Sequence, residues 1–77
     1  MVKVVYFGPL KNITGCHLEE FEYSSFDELK KEIINKYGHE IEKMFDYCAF
    51  WKNGDEFDND SLIDGDEIEI LPPVSGG

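Results

Sequence analysis

A single stretch of this chain carries a helical repeat long enough to cover a sheet, and that repeat limits the folds open to it. Ser25-Phe26-Asp27-Glu28 reads as a capping box, in which the serine oxygen accepts the N3 amide and the glutamate reaches back to the cap amide. Phe26, Leu29, Ile33 and Tyr37 follow at three- and four-residue steps, with acids in the first turn, then Lys30, Lys31 and Lys36, and Gly38 as a stop. One face of this helix must therefore pack on a sheet. A shorter helical turn with Ile41, Met44 and Phe45 inward is expected after it.

The flanking segments have strand character. Val2 to Phe7 is β-branched and aromatic, reads as a mostly buried strand and ends at Gly8-Pro9. After a loop through Asn12 and Gly15, His17 to Tyr23 alternates with a slip between Leu18 and Phe21, which predicts a bulge or an edge position. Tyr47 to Lys52 is a strand, and Asn53-Gly54 supplies the two positive-φ positions of a type I′ hairpin before a short return through Phe57. Asp58-Asn59-Asp60 and Asp64-Gly65-Asp66 mark turns, and Glu67 to Leu71 alternates as the last strand. This order predicts an α+β domain over residues 1–71, a mixed sheet with one main helix on one face, followed by a flexible tail at 72–77. A crossover through that helix would set the first and last strands parallel and adjacent, the β-grasp or ubiquitin-like layout; order alone also tolerates a ferredoxin-like arrangement.

With 77 residues there is room for one core and no deep cleft. Seventeen acids against seven bases leave a net charge of −10, and every base is a lysine. Nucleic acid and anionic membranes are disfavoured as partners, whereas a basic protein groove, or plain solubility, fits the acidity. Cys16 and Cys48 lack metal-ligand or disulfide-framework spacing, and the opening apolar run is too short for a signal peptide or a membrane span, so a cytoplasmic location is expected. Asp55, Glu56, Asp58, Asp60, Asp64, Asp66 and Glu67 have a passing likeness to a calcium loop but lack its glycine at six and glutamate at twelve, so no metal is expected. His17 and His39 assemble with no nucleophile, Cys48 reads as a small apolar packer, and Trp51 is a candidate contact residue. No phosphate-binding glycine motif is present, so any ATP must be handled by a partner.

Beyond Leu71 the chain reads Pro72-Pro73-Val74-Ser75-Gly76-Gly77. Two prolines hold it extended, two glycines carry no side chain, and six extended residues reach about 20 Å. On composition alone a frayed terminus is slightly favoured. The opening strand with Phe7-Gly8-Pro9-Leu10 and Gly15, the Leu62-Ile63-Asp64-Gly65-Asp66-Glu67-Ile68 turn and this ending together resemble the MoaD/ThiS family of ubiquitin-like sulfur carriers, nearest its molybdopterin synthase small-subunit branch.

The resemblance implies a carrier subunit that binds no cofactor itself. An ATP-dependent, ubiquitin-activating-like enzyme would adenylate Gly77, and a sulfur donor would convert it to a thiocarboxylate. The molybdopterin synthase large subunit would then pass that sulfur into the dithiolene. Gly76 and Gly77 would thread both active sites, with Pro72, Pro73, Val74 and Ser75 setting reach and register. The family's docking patch maps onto Phe7, Leu62 and Leu71, although the spacing of Phe7 and Leu62 equally fits a core. The Trp51-Lys52-Asn53-Gly54 hairpin departs from dedicated synthase subunits and is similar to archaeal small modifier proteins, which implies lysine conjugation or transfer-RNA thiolation as the alternative.

Overall fold

A computed structural model describes residues 1–57 and 61–73 of the chain. In chain order the elements are β1 (Val2–Tyr6), α1 (Pro9–Thr14), β2 (Leu18–Phe21), α2 (Phe26–Tyr37), α3 (His39–Phe45), β3 (Ala49–Lys52), β4 (Asp55–Glu56) and β5 (Glu67–Leu71). They form one sheet in the order β2-β1-β5-β3-β4. β1 runs parallel to β5 and the other three pairings are antiparallel. This is the expected β-grasp layout, and the parallel central pair excludes the ferredoxin-like arrangement.

All three helices deliver side chains to one face of the sheet. Val2, Val4, Tyr6, Ile68 and Ile70 meet Leu10 of α1, Leu29 and Ile33 of α2, and Ile41 and Phe45 of α3 in one buried cluster. The Ser25 oxygen accepts the Glu28 amide at 3.2 Å, so α2 begins where its cap is written, and Gly38 ends it by returning an amide to the Ile34 carbonyl. Phe26, Phe45, Phe50 and Phe57 stack edge to face at 4.3–5.5 Å and fill the core beneath β3.

Two expectations need correction. The loop expected through Asn12 is helix α1, started by Pro9 in its first turn and stopped by Gly15 at φ 76°. Both signals are in the sequence, but six residues are too few for an apolar period to show. The second correction concerns β2. Its edge position is as expected, yet its inward residues are Glu19 and Phe21, aligned with Val4 and Val2, while Leu18 faces out and remains 45% exposed.

Glu19 can face inward because donors meet it there. Its carboxylate accepts Tyr37 Oη at 2.7 Å and Tyr6 Oη at 2.9 Å, and it pairs with the Lys36 ammonium. Desolvation works against the charged form, but the bonds from Lys36, Tyr37 and Tyr6 outweigh it and hold the Glu19 carboxyl below its ordinary value. Desolvation, reinforced by Glu19, pushes both phenols up, so they remain donors.

At the other end of the sheet Asp66 clamps the entry to β5. It accepts the Ile63 amide and Asn53 Nδ2, both at 2.9 Å, and Asn53 Oδ1 in turn accepts the Glu67 amide at 2.9 Å. Asn53 and Gly54 hold φ of 53° and 86°, the two left-handed positions expected of this hairpin. The Ile63 amide first, then Asn53, lowers the Asp66 carboxyl.

Because Glu19 and Asp66 are both lowered on folding, their contribution is present in full above the ordinary values of 4.5 and 3.8. It is lost as the pH falls below those values toward the folded ones. Glu19→Ala is therefore expected to lower stability by about 2 kcal/mol at pH 7, mostly by orphaning buried Tyr6 Oη. It should also flatten the loss of stability between pH 5 and 3, as read from urea melts across that range.

Candidate functional site: the tail exit and the open sheet face

Because β5 is parallel to β1, their C-terminal ends lie together at one edge of the sheet. The chain therefore leaves β5 beside the β1–α1 connection. Gly8 sits in that connection at φ 58°, and a Cβ added to it would stand 3.0 Å from Pro72 Cγ. The proline ring thus occupies the space that a side chain at residue 8 would need. Pro72 is half-buried and Pro73 exposed, so the exit is seated on the domain for one residue and then released from it. Val74, Ser75, Gly76 and Gly77 lie outside the described residues, as do Asp58, Asn59 and Asp60.

The tail exit borders the sheet face that no helix covers. Strand alternation turns Lys3 and Val5 of β1, Leu18 and Glu20 of β2, Glu67, Glu69 and Leu71 of β5, Ala49 and Trp51 of β3 and Glu56 of β4 onto this face. One row across it reads Leu18, Val5, Glu69, Trp51, Glu56; the next, nearer the tail, pairs Leu71 with Ala49. Trp51 is 39% exposed, and Val5, although only 7% exposed, lies outside the core cluster. The face is an apolar band with carboxylates on it and around it.

Of the three residues expected to dock a partner, two fit this surface. Phe7 and Leu71 are half-buried and belong neither to the core cluster nor to the side chains packed on it; the Phe7 ring meets His17 edge-on at 5.9 Å. Leu62 does not fit. It is 5% exposed inside the core cluster, where its amide bonds the Ser24 carbonyl, so it is a packing residue and presents nothing to a partner. Trp51 joins the open face as a contact candidate, while Val5, Leu18 and Ala49 were passed over in the sequence. Their signal was strand parity read across the sheet, which requires knowing that β1 and β5 are neighbours.

The remaining candidates do not assemble into chemistry. His17 is exposed in the connection between α1 and β2, His39 is exposed at the start of α3, and Cys16 and Cys48 are both free thiols. Burial pushes the Cys48 thiol up, in keeping with its packing against the core. Among the described residues no group of three His, Cys, Asp or Glu can hold a metal, there is no enclosed pocket, and no helix is long and apolar enough to cross a membrane. What this arrangement offers is a tail exit seated at Pro72 beside a partly apolar sheet face left open by the helices.

The family model of the ThiS family matches residues 4–77, and the chain belongs to that family. The molybdopterin synthase sulfur carrier subunit of Chlamydomonas reinhardtii is 30% identical over 82 residues, spanning 99% of this chain and 98% of that relative. Among solved structures, small archaeal modifier protein 1 from Methanosarcina acetivorans superposes with a TM-score of 0.85 at 26% identity, covering 99% of this chain and 95% of its own. The protein-protein complex of subunits 1 and 2 of the molybdopterin-converting factor from Helicobacter pylori 26695 contains a chain that matches at 32% identity. Its TM-score is 0.72, with 99% of this chain and 97% of that one covered.

Two substitutions separate packing from surface. Leu62→Ala should cost about 2–4 kcal/mol in a urea melt, the range for emptying a buried leucine site. Trp51→Ala should cost well under half as much, because the indole lies on the open face. Gly8→Ala should cost about 1–2 kcal/mol for its left-handed backbone. It should also shift the Pro72 resonances in an NMR spectrum, since the new methyl displaces that ring.

Proposed function

We propose that the chain is the sulfur carrier subunit of a molybdopterin synthase, acting through the carboxyl group of Gly77. The observation that carries the reading is the full-length kinship with molybdopterin synthase sulfur carrier subunits, joined to an ending of Leu71-Pro72-Pro73-Val74-Ser75-Gly76-Gly77. A carboxylate is a poor electrophile at neutral pH. An ATP-dependent partner enzyme would let a Gly77 oxygen attack the α-phosphate, expelling pyrophosphate and leaving an acyl adenylate. Attack by sulfur supplied at the level of hydrosulfide on that carbonyl carbon would expel AMP and leave the thiocarboxylate. In the large subunit of the synthase the sulfur would pass to the molybdopterin dithiolene, and water would cleave the acyl–sulfur bond to return the Gly77 carboxylate.

This chain's own contribution is reach and placement. The close approach of Pro72 to Gly8 fixes where the tail begins, Pro73 would keep it extended, and the glycines would pass where a Cβ would meet a channel wall. Phe7, Leu71 and Trp51 would seat the open face on each partner in turn. ATP, the sulfur donor and the catalytic residues belong to those partners, and the −10 charge of the chain suits a basic groove.

A second reading is favoured by one observation, the 0.85 superposition on a small archaeal modifier protein. In it the same activated Gly77 carbonyl is captured by a lysine amine, giving an isopeptide in place of a thiocarboxylate.

Intact-mass analysis of protein isolated from its own cells separates the two. The carrier reading expects a sulfur-for-oxygen gain confined to the C-terminal peptide, abolished by deletion of Gly77 with the thermal melt unchanged. Sulfur loading that survives the deletion removes Gly77 from the mechanism, and branched lysine peptides without any sulfur gain establish the modifier reading instead.

A further inference from the structure

Glu69 is out of keeping with its surroundings. It stands on the central strand β5, between Val5 of β1 and Trp51 of β3, in the row that crosses the middle of the open face. Its side chain is half-buried, and among the described residues no ion pair or hydrogen bond reaches its carboxylate. The lysine of that face, Lys3, is aligned one row away with Glu67 and Glu20. Lys52, the other strand lysine, is aligned with Ile68 on the helix side and donates to the Ser61 carbonyl at 3.1 Å. In the free protein, water solvates Glu69.

A partner seated on Phe7, Leu71 and Trp51 expels that water. An ionised carboxylate closed under a protein surface without a counter-charge is strongly unfavourable, more so than the surrounding apolar contacts can offset. We infer that the protein docking on this face places an arginine or lysine over Glu69, between its carboxylate and the Trp51 ring. Arginine suits the position better, because a guanidinium can bond the carboxylate through two N–H groups while its plane stacks on the indole. Glu20, Glu67 and Glu56 surround the band on the same face, so the partner's matching surface is basic as well, and the attraction between the two speeds encounter. Glu69 is in this account a specificity-determining residue: it admits partners that carry the cation and rejects apolar surfaces that fit the band equally well in shape. The inference rests on the docking role given to the open face above.

The test is a calorimetric titration of the full chain with the purified molybdopterin synthase large subunit of the same organism, using wild type, Glu69→Gln, Glu69→Lys and, at the rim, Glu20→Gln. Thermal melts confirm that each variant is folded. Glu69→Gln is expected to weaken binding by about tenfold or more, Glu69→Lys by about a hundredfold or more, and Glu20→Gln by less than about threefold. Wild-type binding with a loss under about threefold for Glu69→Gln overturns the inference and leaves the carrier reading intact. No binding by wild type overturns the docking role itself, and this inference with it.

Discussion

The parallel pairing of β1 with β5 is the constraint from which the rest of the architecture follows. A parallel pair cannot be closed by a hairpin, so the chain between the two strands must cross over one face, and α2 and α3 make that crossing. Both strands place their inward residues, Val2, Val4, Tyr6, Ile68 and Ile70, wholly within the core. Because they point the same way, the loop that leaves β1 and the tail that leaves β5 emerge side by side. The stalk is thus anchored by the most deeply buried pair in the sheet, and fraying of the edge strands β2 or β4 would not move its origin.

That same economy decides what is left for the surface. One sheet face takes all three helices, so among the described residues no further element is left to cover the other. The apolar residues that remain there, Val5, Leu18, Leu71 and Trp51, are interspersed with Glu20, Glu67, Glu69 and Glu56, which keep the bare face soluble in the free protein. The inward-facing Glu19 solves a different problem. It satisfies the hydroxyl of fully buried Tyr6 and ties β2 to α2 through Tyr37 and Lys36.

Most of the fold is legible in the sequence because its signals are local. The Ser25 cap, the Asn53-Gly54 turn and the alternation of Glu67 to Leu71 are each read from a few adjacent residues, and each stands where it is expected. What escapes is non-local. Within its own strand nothing separates Glu19 from Glu20 until Tyr6, Tyr37 and Lys36, from two other elements, are seen to converge on it. Leu62 belongs to no periodic segment, so nothing in its neighbourhood distinguishes burial from exposure. Gly8 gains its meaning only from Pro72, sixty-four positions away in the chain and close to it in space.

The division between stalk and face has a consequence for how a carrier of this kind can be selective. The two glycines that end the segment offer backbone and no side chains, so they would fit any narrow channel and discriminate poorly between them. Discrimination must then come from the folded domain. If, as proposed, two successive partners each enclose the same stalk, they would not be bound together, and a carrier cycling between them would have to leave each one readily. A largely apolar contact of fixed shape would favour slow release, whereas charged groups around a small apolar band speed arrival and add partner choice without demanding a large buried area. On the proposed reading, the carboxylates of the open face would serve turnover as well as solubility, and the acidity of the chain would be part of its mechanism.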